Sequence, residues 1–567
     1  MKPLKSDGEI SRTPLYSEAM ILFKRVLQLL INKLIPSIRE KIDPWLAYDS
    51  LKKITWYHRL QGSTGLWDAV NTIKNILSEH GVSSKILKVK QGEKLGFLEA
   101  PASWDPVEGW VEIKDGDETL LKISYDEHPT LISAHSPGGE GEAKLSLEKE
   151  GGEAIIATGL LTSLFEKHRD SRLIVYYTRS RYAEAVPYTG LFLRPGDTKG
   201  PSVIGIPAAQ ALRIIEKLIS GRELIVSWNI KVKWHDKGLP VLYAGNKDPR
   251  ILFVAHICHP KPGAHDNGSG SAALIAIAKY LEEQGRDDWA AVWVPEYTGS
   301  IPVLNRVRPK YVVNLDMVGS KQWITGSTLS IVAPPLFVNE EPAAAAWAAS
   351  YTVFNSASSF GGNSLPRYKW EISPYTMGSD HDVALATGIP ATMFNEWPSK
   401  YYHTDMDTFD TISRDNLNRI VIASLLTYYI LEDEDERRKT VDAFNNYRIG
   451  WYYLESNKKG VEPPESPAKL LSEKLLASTT EKPLLLSPIT SRKIMRILGT
   501  DVYEELRKIK GSIEYIGLYA PLLYSLGVTD HERIAKYYQS EKLIRWRDEE
   551  WEKIKEAFTR ITEELLH

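Results

Sequence analysis

Cysteine is nearly absent: Cys258 stands alone in 567 residues. A single thiol excludes an internal disulfide framework and a zinc ribbon, which need several cysteines. It fits a reducing compartment, and a cytoplasmic location is expected. Net charge is nearly absent too. The 70 Lys and Arg against 73 Asp and Glu leave −3, so no nucleic-acid partner is expected. Long hydrophobic runs are missing as well. Nothing approaches the roughly 18 apolar residues of a membrane span, and no membrane partner is expected. The first apolar run, Ala19-Met20-Ile21-Leu22-Phe23, is cut by Lys24 and Arg25. Its continuation to Ile38 is amphipathic, the pattern of a docked helix rather than an export signal.

What remains is globular. The 43% hydrophobic and 25% charged residues exclude disorder as the dominant state. Residues 1–45 read as an N-terminal helical arm. A helix over 65–81 follows from Leu66, Val70, Ile73, Ile76 and Leu77 at helical spacing, with a stop at Gly81. From 116 to 235 the texture is β-rich, with strand-like pieces at 131–133, 153–157 and 173–177 and a helical run at 208–218. These residues read as an inserted domain.

From about 240, apolar strands alternate with helices. The strand candidates are 251–255, 289–294, 311–315 and 390–394; the helices are 271–281, 343–349 and 417–431, with Ser269 available as a cap for the first. The fold class this implies is α/β: a mostly parallel central sheet with helices on both faces, plus the β-rich insert and a C-terminal helical region. The domain reading is therefore 46–115 with 236–433 as the central domain, 116–235 as the insert and 434–567 as the helical domain. A linker is expected near 462–468. No basic recognition helix is visible in the C-terminal region.

Chemistry concentrates at the strand ends. His256, His259, His265 and Asp266 all follow the strand at 251–255. Glu296 follows the next strand, Asp316 the third, and His403 lies beyond the fourth. Loops at the carboxyl ends of strands are where open α/β sheets bind ligands. A mixed His/Asp/Glu set suits zinc with one position left for water. Paired metals need one bridging carboxylate, and Asp266 is central enough to be it. His256 and His259 compete as the first ligand. His265 reads as a loop residue and Cys258 as a buried small side chain.

The stretch 250–412 resembles the co-catalytic zinc aminopeptidase family, which includes bacterial leucyl aminopeptidases, glutamate carboxypeptidase and the transferrin receptor ectodomain. Four blocks carry the resemblance: His256 ten residues before Asp266 in Gly-Ala-His-Asp-Asn-Gly-Ser-Gly; Glu296 with Gly299-Ser300; Asn314-Leu315-Asp316-Met317; and Gly378-Ser379-Asp380-His381 followed by Tyr402-His403-Thr404-Asp405-Met406-Asp407-Thr408. The Cys-His-Pro followed by Asp-Asn-x-Ser-Gly is similar to a little-characterised aminopeptidase-like branch. Residues 54–81 resemble the family's opening segment, and the insert its protease-associated domain.

The resemblance implies that Asp266 bridges two zinc ions, with His256 and Asp316 on one and Glu296 and His403 on the other. It implies hydrolysis of N-terminal residues from a peptide substrate, with one or two zinc ions that cobalt or manganese replaces. Asp380, His381 and Tyr402 are expected as supporting or substrate residues, and Glu396 as a ligand for the substrate amine. Tyr401 and Tyr375 are further candidates to donate to an oxyanion. Two departures stand out. Pro295 occupies the place of the family's first of two adjacent glutamates, which leaves Glu296 as base or as ligand. Cys258 stands where the family has an imidazole-orienting aspartate. A catalytically inert binding module on the same fold, and a zinc carboxypeptidase, glutaminyl cyclase or amide deacylase, are the alternatives. The insert and the C-terminal helices are expected to restrict access or to build a homo-oligomer.

Overall fold

A computed structural model describes residues 26–355, 357–362, 364–472 and 489–566. Much of the expected N-terminal arm, including the apolar run 19–23, lies outside the described residues. Helical turns over 30–41 belong to that arm, and the helix Leu46–Ile54 follows. The helix expected over 65–81 runs Thr64–Glu79, with the Ser63 hydroxyl accepting the Leu66 N–H as an N-cap.

The central sheet has eight strands: β1 (Ser84–Val89), β2 (Leu239–Gly245), β3 (Ile251–His256), β4 (Trp289–Val294), β5 (Tyr311–Asp316), β6 (Thr328–Val332), β7 (Trp370–Ser373) and β8 (Ala391–Trp397). Their order is β1-β2-β4-β3-β5-β8-β6-β7. The inner strands β4, β3, β5 and β8 are mutually parallel, while β1, β2 and β6 pair antiparallel with their inner neighbours. Runs such as Ile251–Ala255 are apolar throughout because both faces of a parallel strand are covered. Phe253, Val313 and Leu315 join a core shared with the helices Ser269–Glu283, Glu341–Phe354 and Arg414–Glu432. Leu252, Val254 and Val312 face the other way and share their core with Tyr519, Leu522 and Phe558. The C-terminal helices therefore cover the second face of the sheet. Each fully buried side chain of this size is worth about 1.5–3 kcal/mol, so the described C-terminal helices that carry Tyr519, Leu522 and Phe558 are part of the core of the α/β domain.

The insert is a seven-stranded sheet, and its boundary lies earlier than 116. Ser103–Asp115 pairs along its length with Leu224–His235, so it belongs to the insert. Residues 131–133 form only an isolated bridge, Ile132 to Ile204, and not a strand. Ser269 opens its helix as a first-turn residue without capping it; its hydroxyl instead donates to His265 O at 2.8 Å. Among the described residues no helix is long and apolar enough to cross a membrane.

Candidate metal centre

The carboxyl ends of β3, β4 and β5 and the loop after β8 converge. His256 closes β3, and its Nε2 lies 3.1 Å from Asp316 Oδ1 and 3.3 Å from Asp266 Oδ1. On the other side, Asp266 Oδ2 lies 3.1 Å from His403 Nε2 and 3.3 Å from His259 Nε2. The two oxygens of one carboxylate thus face two separate sets. His256, Glu296 and Asp316 form one, and His259, Asp266 and His403 the other; within each set the ligand atoms lie within 4.8 Å of one another. His256 and His259 both enter the cluster, so the two histidines that compete in the sequence occupy different sets. This grouping differs from the one the resemblance implies: Glu296 stands with His256 and Asp316, and His259 stands with His403.

Local backbone explains how the residues get there. Gly263 has φ +46°, and a Cβ there would meet His259 Nδ1 at 2.5 Å, so only glycine leaves room for that imidazole. His403 itself, Tyr297 after Glu296 and Met317 after Asp316 all have positive φ, a conformation that non-glycine residues adopt mostly where surroundings enforce it. Asp407 accepts the N–H groups of His265 and Asp266. Asn267 Nδ2 donates to Leu315 O at 2.8 Å and its Oδ1 accepts the Met317 N–H, which ties the Asp266 loop to the end of β5. Arg59 is fully buried and spreads its guanidinium over carbonyls of the 257–263 loop.

The electrostatics are those of a cation site. Burial raises the Asp266 carboxyl, but His259, His256 and His403 outweigh it and hold the group well below the usual range. Burial pushes His403 down to about 4 against the pull of Asp266. Burial raises the Glu296 carboxyl well above its usual range, with Asp316, Asp380 and Asp266 adding to the shift and His256 opposing it. Burial lowers His256, yet Asp316 and Glu296 carry it well above its usual value. His259 Nε2 is buried and makes no hydrogen bond despite the nearby carboxylate. Three imidazoles and three carboxylates with an unpaired buried nitrogen are a donor set that fits zinc.

The remaining predicted residues lie around this cluster. Asp380 Oδ1 accepts the Tyr297 N–H at 2.8 Å and the Ser300 hydroxyl at 2.5 Å, which fixes the turn after Glu296. His381 Nε2 lies 3.0 Å from Thr376 O. The Tyr402 ring stacks on His403 at 3.8 Å, and its phenol is raised well above its usual value by burial, then by Asp266 and Glu296. Glu396 is fully buried, and both of its oxygens accept protein donors: Tyr368 and the Ser320 N–H on one, Ser320 and Ser327 hydroxyls on the other. Its amine-binding assignment is corrected on that ground, because no free acceptor faces a substrate. Tyr375 is equally committed, donating to Asp382 Oδ1 at 2.7 Å. His265 is buried in the loop before Asp266, its Nε2 3.6 Å from Glu396 Oε2. Cys258 is buried, and its Sγ accepts the Glu296 N–H at 3.0 Å. Sequence reasoning missed Arg59 and Tyr188. No local motif marks either one, because both reach the site through long-range packing.

Comparison with known proteins adds independent findings. Residues 296–427 match the model of peptidase family M28, and residues 204–320 match a domain of unknown function, DUF4910. The chain is 23% identical to aminopeptidase YwaD of Bacillus subtilis (strain 168) over 393 residues, 64% of this chain and 80% of that protein. Among solved structures, a peptidase M28 precursor from Shewanella amazonensis SB2B is similar with a TM-score of 0.50 at 13% identity, covering 74% of this chain and 98% of that one. A zinc aminopeptidase from Bacillus subtilis aligns with a TM-score of 0.47 at 16% identity, over 68% of this chain and 95% of that one. The Shewanella likeness shows the shared fold.

Proposed function

We propose that this protein is a metal-dependent aminopeptidase of the M28, co-catalytic zinc type, removing N-terminal residues from peptides; the match of residues 296–427 to the peptidase family M28 model supports the reading. The observation that carries the reading is Asp266, whose two oxygens face two complete ligand sets. His256, Asp316 and Asp266 Oδ1 would hold one zinc ion, and His259, His403 and Asp266 Oδ2 a second. Cobalt or manganese is expected to substitute. Zinc in such a site supplies a Lewis acid and an acidified water.

His259 accounts for the missing second glutamate. It supplies a donor on the His403 side of Asp266, so Glu296 is not required there as a ligand. Glu296 is left as general base, taking a proton on its carboxylate and passing it to the leaving amine nitrogen. The Tyr402 phenol, close to Asp266 and Glu296, donates to the carbonyl oxygen as charge builds there. Asp380 acts as a positioning residue through the 297–300 turn. The lone cysteine fits a cytoplasmic setting, and gel filtration against a monomer standard tests the homo-oligomer.

The deciding experiment incubates zinc-loaded protein with short peptides, free and N-acetylated, and reads products by mass. Stepwise loss from free N-termini alone, stopped by a chelator, is expected. Cleavage from the C-terminus or of acylated amides would move the assignment to a carboxypeptidase or deacylase. Failure to bind zinc would favour an inert binding module.

A further inference from the structure

The inserted domain reaches the ligand cluster with one aromatic side chain. The ring of Tyr188 lies 4.8 Å from that of His259 and 4.9 Å from that of His403, edge-on to both. It covers the two imidazoles that share Asp266 Oδ2.

This placement is fixed by backbone rather than by side-chain packing alone. Tyr188 N–H donates to His403 O at 2.7 Å, and Pro187 bridges to Thr404. Val186 N–H donates to Asp405 Oδ1 at 3.0 Å, and Asp405 N–H donates to Val186 O at 3.2 Å. Behind them, Thr130 Oγ1 donates to Val186 O at 2.8 Å and His128 Nδ1 lies 2.6 Å from Asp405 Oδ2. The segment that carries Tyr188 and the segment that carries His403 are therefore pinned to each other.

The hydroxyl is the informative part. The Tyr188 phenol lies within electrostatic reach of Asp266, Glu296 and the Tyr402 phenol. Tyr188 is partly exposed, and the hydrogen bond that anchors it runs from its backbone N–H, not from its phenol. A partly exposed phenol whose ring rests on two imidazoles of the ligand cluster stands where a substrate carbonyl would enter.

We propose that Tyr188 is a catalytic residue supplied by the inserted domain, its O–H donating to the scissile carbonyl oxygen as that oxygen becomes anionic. The inference rests on the peptidase reading above. The donation is a hydrogen bond: no proton is transferred, and the bonds that form and break are those of the hydrolysis itself. The insert is then a working wall of the active site, and the peptide binds between it and the α/β domain. A donor that engages the oxyanion more strongly than the ground-state carbonyl acts on kcat rather than on KM.

The test is Tyr188→Phe in the full-length, zinc-loaded protein, which keeps the ring against His259 and His403. A loss of about 10²–10³-fold in kcat is expected, the usual effect of removing one oxyanion donor, with KM nearly unchanged. Zinc per chain stays at the wild-type level. An aminoalkyl boronic acid, which presents a tetrahedral anion, binds the variant more weakly by a similar factor, while a free amino acid product binds equally to both. Wild-type kcat in Tyr188→Phe overturns the proposal. So does a loss of activity that tracks loss of zinc, which would make the tyrosine a positioning residue. Tyr188→Leu removes the ring as well; full activity there would also overturn it. A wild-type protein that cleaves no peptide overturns the peptidase reading, a result distinct from an active enzyme indifferent to Tyr188→Phe.

Discussion

Asp407 grips the main chain of Asp266: its Oδ2 accepts the Asp266 N–H at 2.9 Å while its Oδ1 accepts the His265 N–H at 2.8 Å. The bridging carboxylate is thus aimed through its backbone by a second buried acid. Asp407→Asn keeps the shape but sets an amide NH₂ against one of the two N–H donors. Zinc affinity is expected to fall about 10–100-fold, the usual effect of losing a partner that orients a ligand. Competition with a chromophoric chelator measures it. Unchanged affinity would mean that the Asn267 contacts to Leu315 and Met317 suffice to place the loop.

Glu296 separates base from ligand by a single substitution. Glu296→Gln retains the side-chain shape and removes the proton acceptor. With Glu296 as base, kcat falls by about 10²–10⁴-fold, and zinc per chain by elemental analysis is unchanged. A fall in bound zinc would instead return Glu296 to the ligand set with His256 and Asp316.

The strand ends were legible because parallel strands buried on both faces read as apolar runs, and each run here is followed within two residues by a polar one: His256, Glu296, Asp316. The ligand grouping was less legible. His259 lies three residues past the strand, and only the tight turn at Gly263 shows that its imidazole swings back to Asp266. Glu396 looked available from its place after the fourth strand, but β8 continues through Trp397 and buries it. The C-terminal helices read as a separate domain because their apolar positions alternate with charges. That their apolar side faces Leu252, Val254 and Val312 is a matter of tertiary packing. Tyr188 and Arg59 carry no spacing signal, since what they meet at the site lies on distant segments: His259 and His403 for Tyr188, the 257–263 loop for Arg59.

His135 gives the fold a pH dependence apart from the metal centre. It is fully buried, its ring stacks on Trp104 at 5.6 Å, and Nε2 lies 2.9 Å from Ala102 O. Burial lowers it from 6.5 to about 4, against carbonyl bonds that pull upward. The unfolded chain therefore binds a proton that the folded chain refuses between these values. The contribution is fully present above pH 6.5 and is lost as pH falls towards 4, on the order of 3 kcal/mol. Urea midpoints of the metal-free protein should drop across this window. His135→Asn, which tolerates the positive φ of this position, should shrink the drop. An equal drop in the variant would assign it to other groups.

Arg59 is the support on which His259 rests. Its Nε donates to Ile257 O at 3.0 Å, Nη1 to Pro262 O at 3.1 Å and Nη2 to Gly263 O at 2.8 Å, with further bonds to Ile54 O and Tyr57 O. Its backbone exchanges both hydrogen bonds with His259, at 2.8 and 3.0 Å. Among the described residues no carboxylate pairs with it directly, and burial pulls its pKa down to about 10. Lysine keeps the charge but cannot serve carbonyls on several sides as a planar fork does. Carbonyls left unpaired in the interior cost about 1–3 kcal/mol each, so Arg59→Lys should destabilise the metal-free fold by a few kcal/mol. Because the loop it spans carries His259, the added stability conferred by zinc should shrink as well, since bound ligand stabilises in proportion to its affinity. Urea midpoints with and without zinc, in wild type and variant, measure both effects. A lower midpoint with an unchanged zinc increment would make Arg59 a support of the fold alone and leave His259 held by Gly263 and Asp266.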